Sequence, residues 1–191
     1  AAAARAAREV IGRMGSAAGR SGQIGGAGGY EHEVGAGRDF WGVMDERYGL
    51  SLGVGSGSLC NSPKPGPLLM VANHPFGILD GLMMGRILSE VRGDFRILAN
   101  QVFRKAEDIN RIILPVSFEE SKEAMRLNLP TRKVALEYLG QGGAIGIFPG
   151  GTVSTAERPF GRPLDPGWRT FTPPMVSPSE ATVVPVFFAG H

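Results

Sequence analysis

The sequence predicts an α/β fold: a single domain with a largely parallel mixed sheet flanked by helices, preceded by a glycine-rich, poorly ordered N-terminal segment. Three observations carry that expectation. Short continuous apolar runs, such as Leu68-Leu69-Met70-Val71-Ala72, have the length and character of strands buried on both faces. Stretches with helical spacing of apolar residues stand between them, and that alternation builds parallel sheets. Glycine is unevenly spread, with 16 of the 29 in residues 1–66. A segment of that kind loses much backbone entropy on ordering and offers little apolar area in return.

The elements follow in chain order. Ala1–Met14 reads as a short helix and Phe40–Tyr48 as another, with the rest of residues 1–66 flexible or loosely packed. The domain proper is expected over residues 67–191. Its first strand ends in a turn that contains Pro75 and Gly77. Leu82, Met83, Ile87, Leu88 and Val91 then fall at helical spacing. Arg96–Ala99 and Ile112–Val116 are strand candidates on either side of a charged, helical stretch. Ser121–Leu139 reads as helix interrupted by Pro130, with Thr131 as a new N-cap. Ala144–Phe148 and Thr182–Phe188 are again buried strands, separated by a loop region with six prolines from Pro159 to Pro178. The chain has no initiator methionine and stops straight after a strand, so it reads as a piece of a longer protein, truncated at its C-terminus.

Composition removes several function classes. An apolar fraction of 42% and a charged fraction of 20% are those of a globular domain. A formal net charge of +2 gives no footprint for nucleic acid, although it is compatible with an anionic membrane surface. The single cysteine, Cys60, excludes a disulfide framework and a cysteine-rich metal site, and fits a reducing compartment. No run approaches the roughly 18 to 20 apolar residues that span a bilayer. Metal-binding His-x-x-x-His spacing and a lysine-terminated phosphate loop are both missing.

Two polar clusters follow buried strands, where the chemistry of open α/β sheets is usually placed. The first is Asn73-His74-Pro75-Phe76-Gly77-Ile78-Leu79-Asp80-Gly81; the second is Phe148-Pro149-Gly150-Gly151-Thr152-Val153-Ser154. Imidazole suits a general base because its unperturbed pKa of about 6.5 lies near neutral pH. A carboxylate on its other ring nitrogen fixes the tautomer and stabilises the imidazolium. On a continuous helix His74 and Asp80, six positions apart, would diverge by about 120°. Pro75 and Gly77 argue for a turn, which brings the two side chains together. The competing reading makes His74 a structural loop histidine and Asp80 the N-cap of the next helix. Gly150, Gly151 and Thr152 offer backbone N–H groups and a hydroxyl to an anion, or simply a strand-to-loop turn.

Together these segments resemble the glycerolipid acyltransferase family, the 1-acyl-glycerol-3-phosphate and lysophospholipid acyltransferases. The His74–Asp80 segment looks like the first family motif, Phe148–Ser154 like the third, and Val183-Val184-Pro185-Val186 like the fourth. Their order matches too, over about residues 67–191, and the likeness is closest to the bacterial hemolysin-like branch. The resemblance implies transfer of a fatty acyl group from acyl-coenzyme A or acyl-carrier protein to a lysophospholipid or glycerol-phosphate-type hydroxyl, as in phospholipid biosynthesis. It implies His74 as catalytic base with Asp80 as its partner, no cofactor, no metal and no covalent acyl-enzyme. It also implies peripheral attachment to the cytoplasmic face of a membrane.

The match departs in three places. The His-to-Asp spacing is one residue longer than the usual pattern. Gly150 and Val153 stand where relatives carry a glutamate and an arginine that hold the acceptor's glycerol phosphate. The second motif lacks its usual spacing, which leaves Arg104 or Arg111 as candidates for phosphate contact; ordinary surface ion pairing is the alternative for this stretch. A non-catalytic lipid-binding relative, or a thioesterase in which His74 activates water, therefore stands as an alternative reading.

Overall fold

The structure, a computed structural model, describes residues 29–54, 59, 62–100, 103, 107–119, 121–156, 164–167 and 179–189. The chain divides into two compact units, Ala1–Gly55 and Ser56–His191. In the first, helices α1 (Gly29–Gly35) and α2 (Phe40–Tyr48) are joined by ion pairs of Glu33 with Arg38 and Arg47. Asp39 caps α2, its carboxylate accepting from the Gly42 N–H at 2.8 Å, and Gly49 closes it in a left-handed conformation. The helix expected at Phe40–Tyr48 is present, whereas α1 lies in a stretch read as flexible. Its Tyr30 packs edge-on against Phe40, and this apolar contact lies between glycines that masked it in the sequence. The helix expected over Ala1–Met14 lies outside the described residues.

The second unit is built on five parallel strands. In chain order the elements are β1 (Leu68–Ala72), α3 (Ile78–Arg92), β2 (Arg96–Asn100), α4 (Glu107–Asn110), β3 (Ile113–Val116), α5 (Lys122–Gly140), β4 (Ala144–Ile147) and β5 (Thr182–Val186). The sheet order is β3-β2-β4-β1-β5, and every pairing is parallel, so no antiparallel strand mixes into it. Three adjacent strands, β4, β1 and β5, therefore deliver their carboxyl ends, and the loops that follow them, to one edge.

Burial explains the strand sequences. All five residues of β1 are buried, as its place between β4 and β5 requires. Alternate side chains point to opposite faces. Leu69, Val71, Leu98, Leu114, Val116, Ile145 and Ile147 meet Ala135 and Leu139 of α5 on one face. On the other face Gly146 lies against α3: a Cβ there would stand 2.8 Å from Met84 Cγ and 3.0 Å from Leu88 Cδ1. Helices thus cover both faces. Gly146→Val should overpack this contact and destabilise the protein by about 1–3 kcal/mol, read as a lower urea midpoint at unchanged slope.

Two sequence expectations are corrected. The helix read as broken at Pro130 is one element, α5, and its N-cap is Ser121, whose hydroxyl accepts from the Ala124 N–H at 3.0 Å. Polar ties on both sides of the proline fasten it to the end of β3. Asn128 both accepts from the Ser117 N–H (2.9 Å) and donates to the Ser117 carbonyl (2.8 Å), and Thr131 donates to the Pro115 carbonyl at 2.7 Å. Thr131 is buried as an anchor rather than used as a cap. The second correction concerns β5, which was expected to be buried. It is an edge strand with its side chains exposed or half-buried.

Candidate active site

The site forms where β1 ends. Past Ala72, paired to Val186 of β5, the Asn73 side chain prolongs the pairing: its Nδ2 donates to the Phe188 carbonyl at 2.9 Å and its Oδ1 accepts from the Phe188 N–H at 2.6 Å. The main chain then leaves the sheet. Gly77 turns it with φ 65° and ψ −118°, a conformation that strongly favours glycine, and α3 begins at Ile78. This turn, rather than a continuous helix, compensates for the lengthened spacing between His74 and Asp80.

Asp80 lies in the first turn of α3 and is 1% exposed. One carboxylate oxygen, Oδ2, accepts the Phe76 N–H at 2.7 Å and lies 3.0 Å from His74 Nδ1. The helix N-terminus also favours negative charge there. Asp80 is not the N-cap of α3, a place taken by Gly77. A carboxylate is an acceptor, so it selects the tautomer with hydrogen on Nδ1 and leaves the lone pair on Nε2.

Four further contacts fix His74. Its ring stacks on Phe148 with centroids 4.2 Å apart and 24° between planes. Its carbonyl accepts from the Ser154 N–H at 2.9 Å. Its own N–H donates to both oxygens of Asp165, at 3.1 and 3.2 Å, and Ser154 Oγ donates to the same carboxylate. Thr155 and Leu164 form an antiparallel bridge, which sets Ser154 beside Asp165. Among the described residues, Nε2 is the one His74 polar atom without a partner, and the side chain keeps 19% exposure. The imidazole is held firmly yet remains reachable.

Asp165 was not identified from the sequence. It lies 91 positions from His74, and Leu164-Asp165-Pro166-Gly167 carries only turn chemistry. Asp165→Ala would leave the His74 N–H and the Ser154 hydroxyl without their acceptor, and should cost about 1–3 kcal/mol in a chemical denaturation curve.

The other candidates separate. Gly150, Gly151 and Thr152 follow β4 at the same edge as His74, because β4 and β1 are parallel neighbours. The Gly151 N–H is already given to the Phe148 carbonyl at 3.0 Å, which closes a turn. Gly150 is buried against Pro166, where a Cβ would stand 3.1 Å from the ring. Its place in the sequence is thus accounted for by packing, and Thr152 is the exposed member of the trio. Arg104 lies outside the described residues. Arg111 is not brought to the site. It precedes β3, on the amino-end edge of the parallel sheet, and contributes there to lowering the pKa of Asp94. A hydrogen bond from Arg96 is the main cause that holds the Asp94 carboxyl below its usual range. The crossing from the carboxyl end of β2 to the amino end of β3 places Arg111 on the edge opposite His74.

Among the described residues no group of three or more His, Cys, Asp or Glu side chains is arranged to hold a metal ion, and no helix is long and apolar enough to cross a membrane. A family model described as acyltransferase matches residues 37–191. No curated protein and no solved structure gives a significant match. The family match covers most of the sequence, and the chain belongs to that acyltransferase family.

Proposed function

We propose that this acyltransferase-family chain moves a fatty acyl group from acyl-coenzyme A or acyl-carrier protein to the hydroxyl of a lysophospholipid or glycerol-phosphate-type acceptor. His74 is the general base. The observation that carries the reading is the contact of His74 Nδ1 with the buried Asp80 carboxylate at 3.0 Å, at the loop edge of a parallel sheet. Nε2 takes the acceptor's proton as its oxygen attacks the thioester carbonyl. The tetrahedral intermediate collapses with loss of the carbon–sulfur bond, and the imidazolium returns the proton to the departing thiolate. Each proton and electron pair is accounted for without a metal or an acyl-enzyme.

Acceptor choice is expected to differ from that of relatives. Glycine at position 150 and valine at 153 supply neither the carboxylate nor the guanidinium of the third motif, and charge-assisted contacts are among the strongest available. We assign the enzyme to the surface of a membrane, on its cytoplasmic face, because acceptor and product both partition into lipid.

The experiment follows thiol release from acyl-coenzyme A with and without a panel of lysolipids. Release that requires an acceptor supports transfer. Equal release in its absence would make the enzyme a thioesterase, with water in place of the lipid hydroxyl. Lipid binding without turnover of either donor would favour a non-catalytic relative, the reading that the altered third motif supports.

A further inference from the structure

Isolated apolar side chains in water are ordinary features of protein surfaces, but their collection at one edge, around a reactive group, is not. Such a collection is found here. Helix α5 runs back along β3, with Thr131 tied to Pro115 and Asn128 to Ser117, so Lys122–Leu127 extend beyond the carboxyl end of that strand. At about 1.5 Å of rise per residue, this is a projection of roughly 8 Å. On it and just behind it stand Met125, 69% exposed, Leu127 and Leu129, 62% exposed. Among the described residues, the loops at the same edge add others, including Phe76 after β1, Val153 after β4 and Phe187, 73% exposed, after β5. His74 lies among these loops.

We infer that the carboxyl-end edge of the sheet is a lipid-docking surface, in which Phe76, Val153, Phe187, Met125, Leu127 and Leu129 enter the interfacial layer of a bilayer around the His74 opening. The inference rests on the reading of the site as lipid acyl transfer. That reading requires the acceptor hydroxyl to reach His74 while the acyl chains stay in lipid. The side chains stand on separate loops and helix turns rather than on one flat face, which suits insertion between headgroups better than closure against a folded partner. Lys122 and Arg126 alternate with them on α5 and have stems long enough to place their charges at headgroup level. Glu123 beside them limits the net charge, so apolar insertion is the main attraction.

The test is co-sedimentation of the full 191-residue chain with sucrose-loaded vesicles of phosphatidylcholine, with and without phosphatidylglycerol. Binding should occur to both and persist at 1 M salt, where the Debye length is about 3 Å. The triple variant Met125→Gln, Leu127→Gln, Leu129→Gln should lower partitioning at least about tenfold, since each change removes an apolar side chain from the layer. All three sites are exposed, so its thermal melt should match the wild type. Val134→Gln, an exposed position further along α5 away from this edge, should leave partitioning unchanged. Wild-type protein that ignores both vesicles, or a triple variant that binds as well as wild type, would overturn the proposal. Loss of self-association in that variant at unchanged vesicle binding would assign the edge to a second copy instead. Because partitioning is read without turnover, the catalytic reading is tested apart from it. His74→Ala should bind vesicles as wild type does, and vesicle-bound wild-type protein that transfers no acyl group would end the catalytic reading alone.

Discussion

Replacing His74 with alanine is expected to lower acyl transfer by about 10² to 10⁴, the usual worth of a general base. The reasoning runs from geometry. Asp80 holds Nδ1, Phe148 supports the ring face, and Ser154 and Asp165 fix the backbone on either side, so Nε2 presents its lone pair from a fixed position. Without the imidazole, water becomes the base and proton removal lags behind carbon–oxygen bond formation. The substitution also takes one of two donors from a buried carboxylate, which costs about 1–3 kcal/mol of stability. His74→Gln is the companion variant: its amide can still meet Asp80 but has no basic nitrogen. Initial rates of both should fall together, with circular dichroism confirming the fold. A His74→Gln enzyme at wild-type rate would show that the side chain orients rather than deprotonates.

Asp80→Asn should have the second largest effect, a fall in kcat on the order of 10² to 10⁴. The amide is almost isosteric, and its oxygen can still accept the Phe76 N–H, so the turn into α3 is preserved. What is lost is the negative charge next to the imidazolium that forms during transfer. Because the same oxygen position serves Phe76 and His74, an amide turned the other way would donate to Nδ1, select the tautomer with the hydrogen on Nε2 and give up the Phe76 bond. The effect should fall on kcat with KM nearly unchanged, because Asp80 is buried behind the histidine and away from the acceptor. Steady-state kinetics on a saturating acceptor would check it. A rise in KM alone would mean that Asp80 shapes the binding site rather than the base.

The fold was legible because its strands are short apolar runs at positions buried on both faces, as in β1 and β4. It was less legible where tertiary contacts override local propensity. Pro130 reads as a helix break, yet Asn128 and Thr131 fasten α5 to the end of β3 on both sides of it. The apolar run in Thr182–Phe188 reads as a buried strand, yet the strand order leaves β5 at an edge. The pairing of His74 with Asp80 could be anticipated because both residues belong to one turn whose proline and glycine exclude a continuous helix. Asp165 could not, since its contact with His74 depends on Leu164 bridging back to Thr155, a pairing between residues nine positions apart that no local pattern marks. Arg111 shows the converse limit: a basic residue close in sequence to a motif can lie on the opposite edge of a parallel sheet.

The most direct test is the appearance of radiolabelled two-chain lipid from labelled acyl-coenzyme A or acyl-carrier protein and a lysolipid, for wild type and His74→Ala side by side. Labelled product from the wild type, with the variant reduced at least about a hundredfold, is the expected result. Equal product from the two proteins would contradict a general base at His74. No product from the folded wild type with either donor would contradict acyl transfer itself.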